Sequence, residues 1–190
     1  MKLLNCCLFT SFKNIIINSN GRGEKNTWKS CIIGESKSGK TSFLNKVIGN
    51  RFSASYKRTI GSDFSCKEYQ IGEKLLTLQF WDTPRREGFQ RLGYAFCRGA
   101  QAYFIFFDIT DRYSFEQVSD WKDEFESNVG DNVFGILVGN KIDINNERVV
   151  CYEEAKTFAD HHKMIYIEIS AKTGQGCEVL ERIVANKIAQ

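Results

Sequence analysis

The chain has 190 residues, of which 42% are hydrophobic, 13% are aromatic and 26% are charged. This composition excludes a disordered or collagen-like chain and is enough for one contiguous core, and no apolar run approaches the roughly 20 residues that span a bilayer. Lys and Arg number 26 against 23 Asp and Glu, and the excess lies in residues 1–26. The neutral remainder has no basic footprint for nucleic acid.

The N-terminal segment and the cysteines bear on compartment and domain organisation. We predict an N-terminal extension over residues 1–26 and one domain over residues 27–190. The extension is basic and partly apolar, so it is either a simple leader or a contact for a membrane or a partner. Seven cysteines form neither an even disulfide set nor a CxxC metal pair, which favours a reducing, cytoplasmic compartment.

Apolar runs of strand length alternate along the chain with stretches of helical period. This alternation predicts an α/β fold with a mostly parallel six-stranded sheet and about five helices on both faces. The predicted strands are 28–33, 62–71, 75–81, 102–109, 134–139 and 164–169, the second and third forming a hairpin. The predicted helices include 41–48, 114–129, 152–162 and 178–189.

Residues 34–41, Gly-Glu-Ser-Lys-Ser-Gly-Lys-Thr, match the pattern G-x-x-x-x-G-K-[ST] between a predicted strand and a predicted helix. Backbone N–H groups in such a loop converge on phosphate oxygens, Lys40 neutralises the outer phosphates and the Thr41 hydroxyl can bind Mg2+. The alternative is an ordinary glycine-containing turn. The predicted phosphate-site residues are Gly34, Ser36, Lys37, Ser38, Gly39, Lys40, Thr41 and Ser42.

A phosphate loop alone fits a kinase, an ATPase or a GTPase, so the base site has to distinguish them. Two short segments, 140–143 and 170–172, each follow a predicted strand and therefore lie at the carboxyl edge of the sheet. A carboxylate such as Asp143 selects guanine, because adenine lacks the paired N1–H and amine donors. The predicted base-site residues are Asn140, Lys141, Asp143, Ser170, Ala171 and Lys172.

Over residues 28–189 these motifs and their spacing resemble those of the Ras-superfamily small GTPases, and the Rabs most of all. The resemblance implies a G domain that binds GTP or GDP with Mg2+. It further implies that Asp143 reads the guanine, Asn140 braces the loops, the Lys141 stem packs along the base and the Ala171 N–H meets the guanine carbonyl.

Three segments carry the Rab-like character. They resemble the Rab switch I signature, its Tyr-Tyr-Arg-Gly-Ala and its Tyr-Asp-Ile-Thr, and they lie at residues 60–64, 96–100 and 107–110. By this resemblance Phe64, Trp81 and Phe96 form the aromatic triad on which effectors and exchange factors dock. The alternative is that the three rings only pack the core.

The resemblance assigns three further site residues. Thr59 lies where small GTPases place the switch I threonine that coordinates Mg2+ and meets the γ-phosphate, and Asp82 would hold the metal through water. Phe52 lies where the family stacks a ring on the base, although a core aromatic is an equal alternative.

The segment after Asp82 departs from the family, which reads Asp-Thr-Ala-Gly-Gln-Glu where this chain reads Asp-Thr-Pro-Arg-Arg-Glu over residues 82–87. Pro84 removes a backbone donor, and Arg86 has no acceptor with which to orient water. We therefore expect slow GTP hydrolysis. Alternatively the two arginines are solvated loop charges, or Arg85 or Arg86 is an arginine finger in cis. The candidate catalytic residues are Lys40, Thr59 and Arg86.

Two functional classes follow: a slow GTPase that regulates vesicle trafficking, and a nucleotide-stabilised interaction module that hardly hydrolyses GTP. A P-loop kinase for another nucleotide is disfavoured by residues 140–143.

Lys37, in place of a small residue, would either tighten phosphate binding or crowd the loop. The last cysteine is Cys177, so we expect membrane association, peripheral on vesicles, to be indirect or to use a missing segment, with a further domain after residue 190 as one option.

Overall fold

The computed structural model describes residues 25–49, 63–71, 74–82 and 94–189. Within these ranges six strands form one sheet in the order β2-β3-β1-β4-β5-β6. The strands are β1 Lys25–Gly34, β2 Asp63–Ile71, β3 Lys74–Asp82, β4 Ala102–Asp108, β5 Phe134–Asn140 and β6 Ile165–Ile169. All neighbours pair in parallel except the hairpin of β2 and β3, so the predicted fold class is confirmed.

Five α-helices lie in the described ranges, and they cover both faces of the sheet. They are α1 Lys40–Gly49, α2 Arg112–Glu116, α3 Val118–Val129, α4 Tyr152–His161 and α5 Cys177–Ala189, with a 3₁₀ helix at Ile142–Glu147. One core cluster packs Phe115 and Phe125 against one face, and a second packs Phe43 and Leu180 against the other. None of these helices is both long and apolar enough to cross a bilayer.

The predicted single helix over residues 114–129 is wrong in its continuity, because the structure divides the span into α2 and α3. Asp111 caps α2 by accepting the Tyr113 N–H at 3.1 Å, which starts helical structure earlier than the apolar pattern indicates. At the break the Gln117 N–H is shared between the carbonyls of Tyr113 and Phe115, a tightened final turn. The other predicted elements agree with the structure to within about three residues.

The parallel register brings the strand ends to one edge of the sheet. Gly34 at the end of β1 pairs with Phe106 of β4, and Asn140 at the end of β5 pairs with Asp108 and Ile169. Loops that carry the predicted phosphate and base motifs therefore leave the sheet side by side. Residues 1–24 lie outside the described residues, so the division at residues 26 and 27 stays a prediction.

A buried polar cluster attaches the hairpin to α5. Glu181, 9% exposed, accepts the Tyr69 hydroxyl at 2.5 Å and the Lys67 ammonium at 2.9 Å. Burial, and then the bond to Glu181, hold the pKa of Tyr69 far above its usual range, so its proton stays available for this bond.

Replacing Glu181 with Leu should lower the free energy of unfolding by about 2–3 kcal/mol, because it leaves a buried hydroxyl and an ammonium without their acceptor. Urea denaturation of the nucleotide-free protein measures the change. Glu178→Leu, an exposed position on the same helix, is the matched control and should shift stability by less than about 0.5 kcal/mol. Equal losses in the two variants would contradict a structural role for the cluster.

Candidate functional site

Two glycines shape the loop between β1 and α1. Gly34 has φ of 126°, and a Cβ there would lie 2.2 Å from the Phe106 carbonyl oxygen. Gly39 has φ of 94°, and a Cβ there would lie 2.1 Å from the Asn140 amide nitrogen. Both positions therefore exclude any side chain, and the loop follows the path that the phosphate-loop pattern predicts.

Lys40 folds its side chain back over this loop. Its ammonium donates to the carbonyls of Gly34 and Glu35, each at 2.7 Å, and the residue is 8% exposed. The Ser38 hydroxyl also donates to the Glu35 carbonyl, at 2.8 Å. A buried cation thus lies at the N-terminus of α1, where the first N–H groups have no hydrogen-bond partner within the helix. The ammonium and these N–H groups together favour the binding of an anion.

Lys37 adopts the left-handed backbone conformation, with φ of 66°, and is exposed together with Ser36. A residue with a Cβ loses about 1–2 kcal/mol in this region relative to the right-handed one. The strain at Lys37 is therefore in its backbone. Its side chain lies in solvent, so the lysine does not crowd the interior of the loop. Ser42 is half-buried on α1.

Two of the three predicted metal ligands lie together. The Thr41 hydroxyl donates to Asp82 Oδ2 at 2.6 Å, and Asp82 is 1% exposed at the end of β3. Hydroxyl and carboxylate oxygens are the donors that Mg2+ prefers, so this donor set fits the metal. In the described ranges no group of three or more His, Cys, Asp or Glu side chains could hold a metal. A magnesium ion here would therefore need oxygens from elsewhere, such as phosphate.

Asn140 connects the phosphate loop to the second loop. Its amide nitrogen donates to the Ser38 carbonyl at 2.8 Å, and its amide oxygen accepts the Ala171 N–H at 3.0 Å. The residue is 1% exposed. The brace predicted for Asn140 is thus present, and the Ala171 N–H would have to share or leave this bond in order to reach a guanine carbonyl.

Asp143 lies beside the second loop with its carboxylate fixed on one side. The Ser170 hydroxyl donates to Asp143 Oδ1 at 2.6 Å, and the Lys172 ammonium lies 3.6 Å from Oδ2. Strands β5 and β6 bring all six predicted base-site residues to the same edge of the sheet. Besides Asp143 they are Asn140, Lys141, Ser170, Ala171 and Lys172.

Asp108 is a site residue that the sequence analysis did not assign. Its Oδ2 lies 2.5 Å from the Lys141 ammonium, while Oδ1 accepts both the N–H and the hydroxyl of Thr110. Lys141 itself has φ of 73°. The signal was available, since Asp108 is part of the segment 107–110 that we quoted only as a Rab-like trait.

Cys177 begins α5 directly behind the base loop. Its thiol donates to the Ser170 carbonyl at 3.8 Å, and burial, followed by the nearby Glu181 carboxylate, raises the pKa of Cys177 to about 11. The sulfur therefore stays a thiol at neutral pH, where it packs the loop and does not act as a nucleophile.

The three aromatic residues form a contiguous surface. Phe64 and Trp81 have ring centroids 4.9 Å apart, and Trp81 stacks on Phe96 at 5.9 Å. Phe64 and Phe96 are 47% and 45% exposed, which excludes the alternative that all three rings only pack the core. The Lys29 ammonium lies 4.8 Å from the centroid of the Trp81 ring and donates to the Arg98 carbonyl.

Five residues of the sequence prediction lie outside the described residues. Their assignments as ring stack, metal ligand and switch segment stay predictions. They are Phe52, Thr59, Pro84, Arg85 and Arg86.

Replacing Asn140 with Ala should lower the free energy of unfolding of the nucleotide-free protein by about 2–3 kcal/mol, since two buried backbone groups lose their partner. Chemical denaturation measures this. Asn146→Ala, at an exposed position in the 3₁₀ helix, is the control and should be nearly silent. A loss no larger than that of the control would mean that Asn140 does not hold the two loops together.

The comparisons with known proteins agree with this geometry. The sequence model of the Ras family matches residues 29–190. Ras-related protein RABG3f of Arabidopsis thaliana is 41% identical over 164 residues, covering 83% of this chain and 80% of the relative. Ras-related protein Rab7 of Cenchrus ciliaris is 40% identical over 168 residues, or 84% and 82% of the two chains. The Ypt/Rab-type GTPase ypt7 of Pyricularia oryzae is 40% identical over 169 residues, or 85% and 82%. The chain therefore belongs to the Ras family, as a Rab-like small GTPase.

Proposed function

We propose that this chain is a regulatory GTPase that binds GTP or GDP with Mg2+ and acts in vesicle trafficking from the cytoplasm, peripherally on vesicle membranes. The observation that carries the proposal is the Asn140 side chain, which joins a phosphate loop to a guanine-type loop in one site. Relatives named Rab7 support the trafficking role.

In the proposed complex the phosphates lie on the backbone N–H groups of residues 34–41, with the Lys40 ammonium as the compensating charge. Thr41, Asp82 and Thr59 would hold the Mg2+. When bound, the ion neutralises charge on the outer phosphates. Thr41 and Asp82 support this assignment because their oxygens already lie 2.6 Å apart.

In the base site we propose that Asp143 reads the guanine edge and that Lys141 covers the base with its stem. Ser170 supports this role because its hydroxyl donates to one carboxylate oxygen of Asp143, at 2.6 Å. Asp108 pairs with the Lys141 ammonium and so limits where the stem can lie. Phe52 is proposed as the ring that stacks on the base.

Partner binding is assigned to the aromatic surface of Phe64, Trp81 and Phe96. Two exposed rings on a half-buried tryptophan give apolar area with little side-chain entropy to lose, which is typical of a protein contact. Effectors and exchange factors are the proposed partners. We propose no nucleic-acid partner, since the body of the chain is neutral.

Slow hydrolysis is the finer part of the proposal. It rests on residues 84–86, Pro-Arg-Arg. In this segment Arg86 takes the place of the family's water-orienting glutamine, and its side chain can donate hydrogen bonds but cannot accept them. A nucleotide-stabilised interaction module is the second candidate, and it follows from the same segment if hydrolysis is negligible.

Replacing Asp143 with Asn should weaken GTP binding and improve binding of xanthosine triphosphate, because an amide can donate to the xanthine oxygen where the carboxylate accepts from the guanine amine. We expect a preference change of at least about a hundredfold, or roughly 2.7 kcal/mol. Competition against a fluorescent nucleotide measures both affinities. Asp131→Asn, at an exposed position, is the control, and unchanged GTP affinity in Asp143→Asn would refute the base assignment.

Replacing Arg85 with Gly and Arg86 with Gln should raise the single-turnover rate of phosphate release about tenfold, equivalent to about 1.4 kcal/mol of barrier. The restored glutamine can both donate to and accept from the attacking water. Slower release in the double variant would instead identify an arginine finger in cis. A native rate near the unassisted Ras value of about 3–5 × 10⁻⁴ s⁻¹ would show that another group positions the water.

A further inference from the structure

Glu35 is an unexpected residue to find inside a phosphate loop. It is 5% exposed, and it is the second residue of a loop whose proposed ligand is a polyanion. A buried carboxyl group beside phosphates is unfavourable unless it points away from them and finds a donor. The structure provides such a donor in Trp121, whose indole N–H donates to Glu35 Oε1 at 3.1 Å.

Trp121 is a rigid point of attachment. It lies on α3, is 8% exposed, and belongs to the core cluster that includes Val118 and Phe125 of the same helix. Since this indole is fixed by packing, the Glu35 side chain that it holds is fixed relative to the core. The hydrogen bond spans 86 positions of sequence, so it ties the loop to a part of the fold outside the site.

The backbone of Glu35 links this attachment to the phosphate site. Its carbonyl accepts the Lys40 ammonium at 2.7 Å and the Ser38 hydroxyl at 2.8 Å. A rotation of the Glu35 peptide would therefore displace the cation proposed to meet the phosphates.

The loop is held on both sides of its strained residue. Lys37 has φ of 66°, and it lies between Glu35, held by Trp121, and Ser38, held through its carbonyl by Asn140. A backbone in the left-handed region relaxes unless its flanks are fixed. The Asn140 contact belongs to the base site already described, whereas the Trp121 contact has no role in it.

We propose that Trp121 and Glu35 are a pair of positioning residues, and that the hydrogen bond between them holds the phosphate loop in its nucleotide-binding form and thereby couples α3 to the rate of nucleotide release. The inference rests on the proposed nucleotide binding. Neither residue contacts the reacting atoms, so the pair acts through Lys40 and the loop backbone.

The test measures dissociation of a fluorescent GDP analogue from the full chain in excess Mg2+. Trp121→Phe keeps an aromatic ring and removes the N–H, so release should accelerate about five- to thirtyfold, the factor for losing one buried hydrogen bond. Trp28→Phe is the matched control, because the Trp28 indole nitrogen is buried without a hydrogen-bond partner among the described residues. It should change release by less than twofold.

Two further variants separate this role from general destabilisation. Glu35→Gln keeps an acceptor oxygen and should release GDP within about threefold of the native rate, whereas Glu35→Leu should accelerate release at least as much as Trp121→Phe does. The acceleration in the double variant Glu35→Leu/Trp121→Phe should be smaller than the product of the two single effects, since both substitutions remove the same hydrogen bond. The dissociation constant of guanosine, which lacks phosphates, should be the same for the native chain and for Trp121→Phe.

The outcomes are distinct. Native protein that does not bind GDP would refute the proposed function itself. Native binding with an unchanged release rate in Trp121→Phe, equal acceleration in Trp28→Phe, or additive effects in the double variant would overturn the positioning pair alone. If Trp121→Phe fails to fold, the contrast between Glu35→Gln and Glu35→Leu decides the matter in the same way.

Discussion

The site depends on one amide side chain at the end of the central sheet. Asn140 uses its nitrogen to hold one loop and its oxygen to hold another, with both partners on the backbone. A carboxylate in this position could not donate, and a Cβ on residue 39 would lie only 2.1 Å from the Asn140 amide nitrogen, so the contact also requires Gly39. The parallel register of β4, β5 and β6 places the amide between the loops, so the sheet fixes the distance between phosphate and base subsites.

The electrostatics of the edge follow a single rule. Four acidic side chains lie at or next to this edge of the sheet, and each one contacts a hydrogen-bond donor or a cation. The pairs are Glu35 with Trp121, Asp82 with Thr41, Asp108 with Lys141 and Asp143 with Ser170. Because these carboxyl groups are engaged, the Lys40 ammonium and the N–H groups at the start of α1 are the groups that would meet a phosphate in the proposed complex.

The fold was largely predictable because buried parallel strands are continuous apolar runs, and such runs can be recognised directly in the sequence. The break between α2 and α3 was not, since the buried Phe115 and Trp121 keep helical spacing across Gln117. Local motifs likewise predicted the loops of the site. The contact between Glu35 and Trp121 could not be predicted in this way, because no sequence motif contains both residues and 86 positions separate them. The exposure of Phe64 also had to come from the structure. The sequence pattern of an edge hairpin does not show whether an aromatic side chain points into the core or to the surface.

Gly34 ends β1 and begins the phosphate loop, and its backbone lies so close to Phe106 that the path of the loop depends on the pairing of β1 with β4. In the proposed complex, nucleotide recognition therefore depends on two paired strands whose contacting residues are 72 positions apart. Occupancy and cooperative folding are then thermodynamically linked. Each tenfold excess of nucleotide over its dissociation constant adds about 1.4 kcal/mol to the stability of the whole domain. In the proposed complex, the nucleotide concentration thus shifts the folding equilibrium as well as the fraction of protein that is bound.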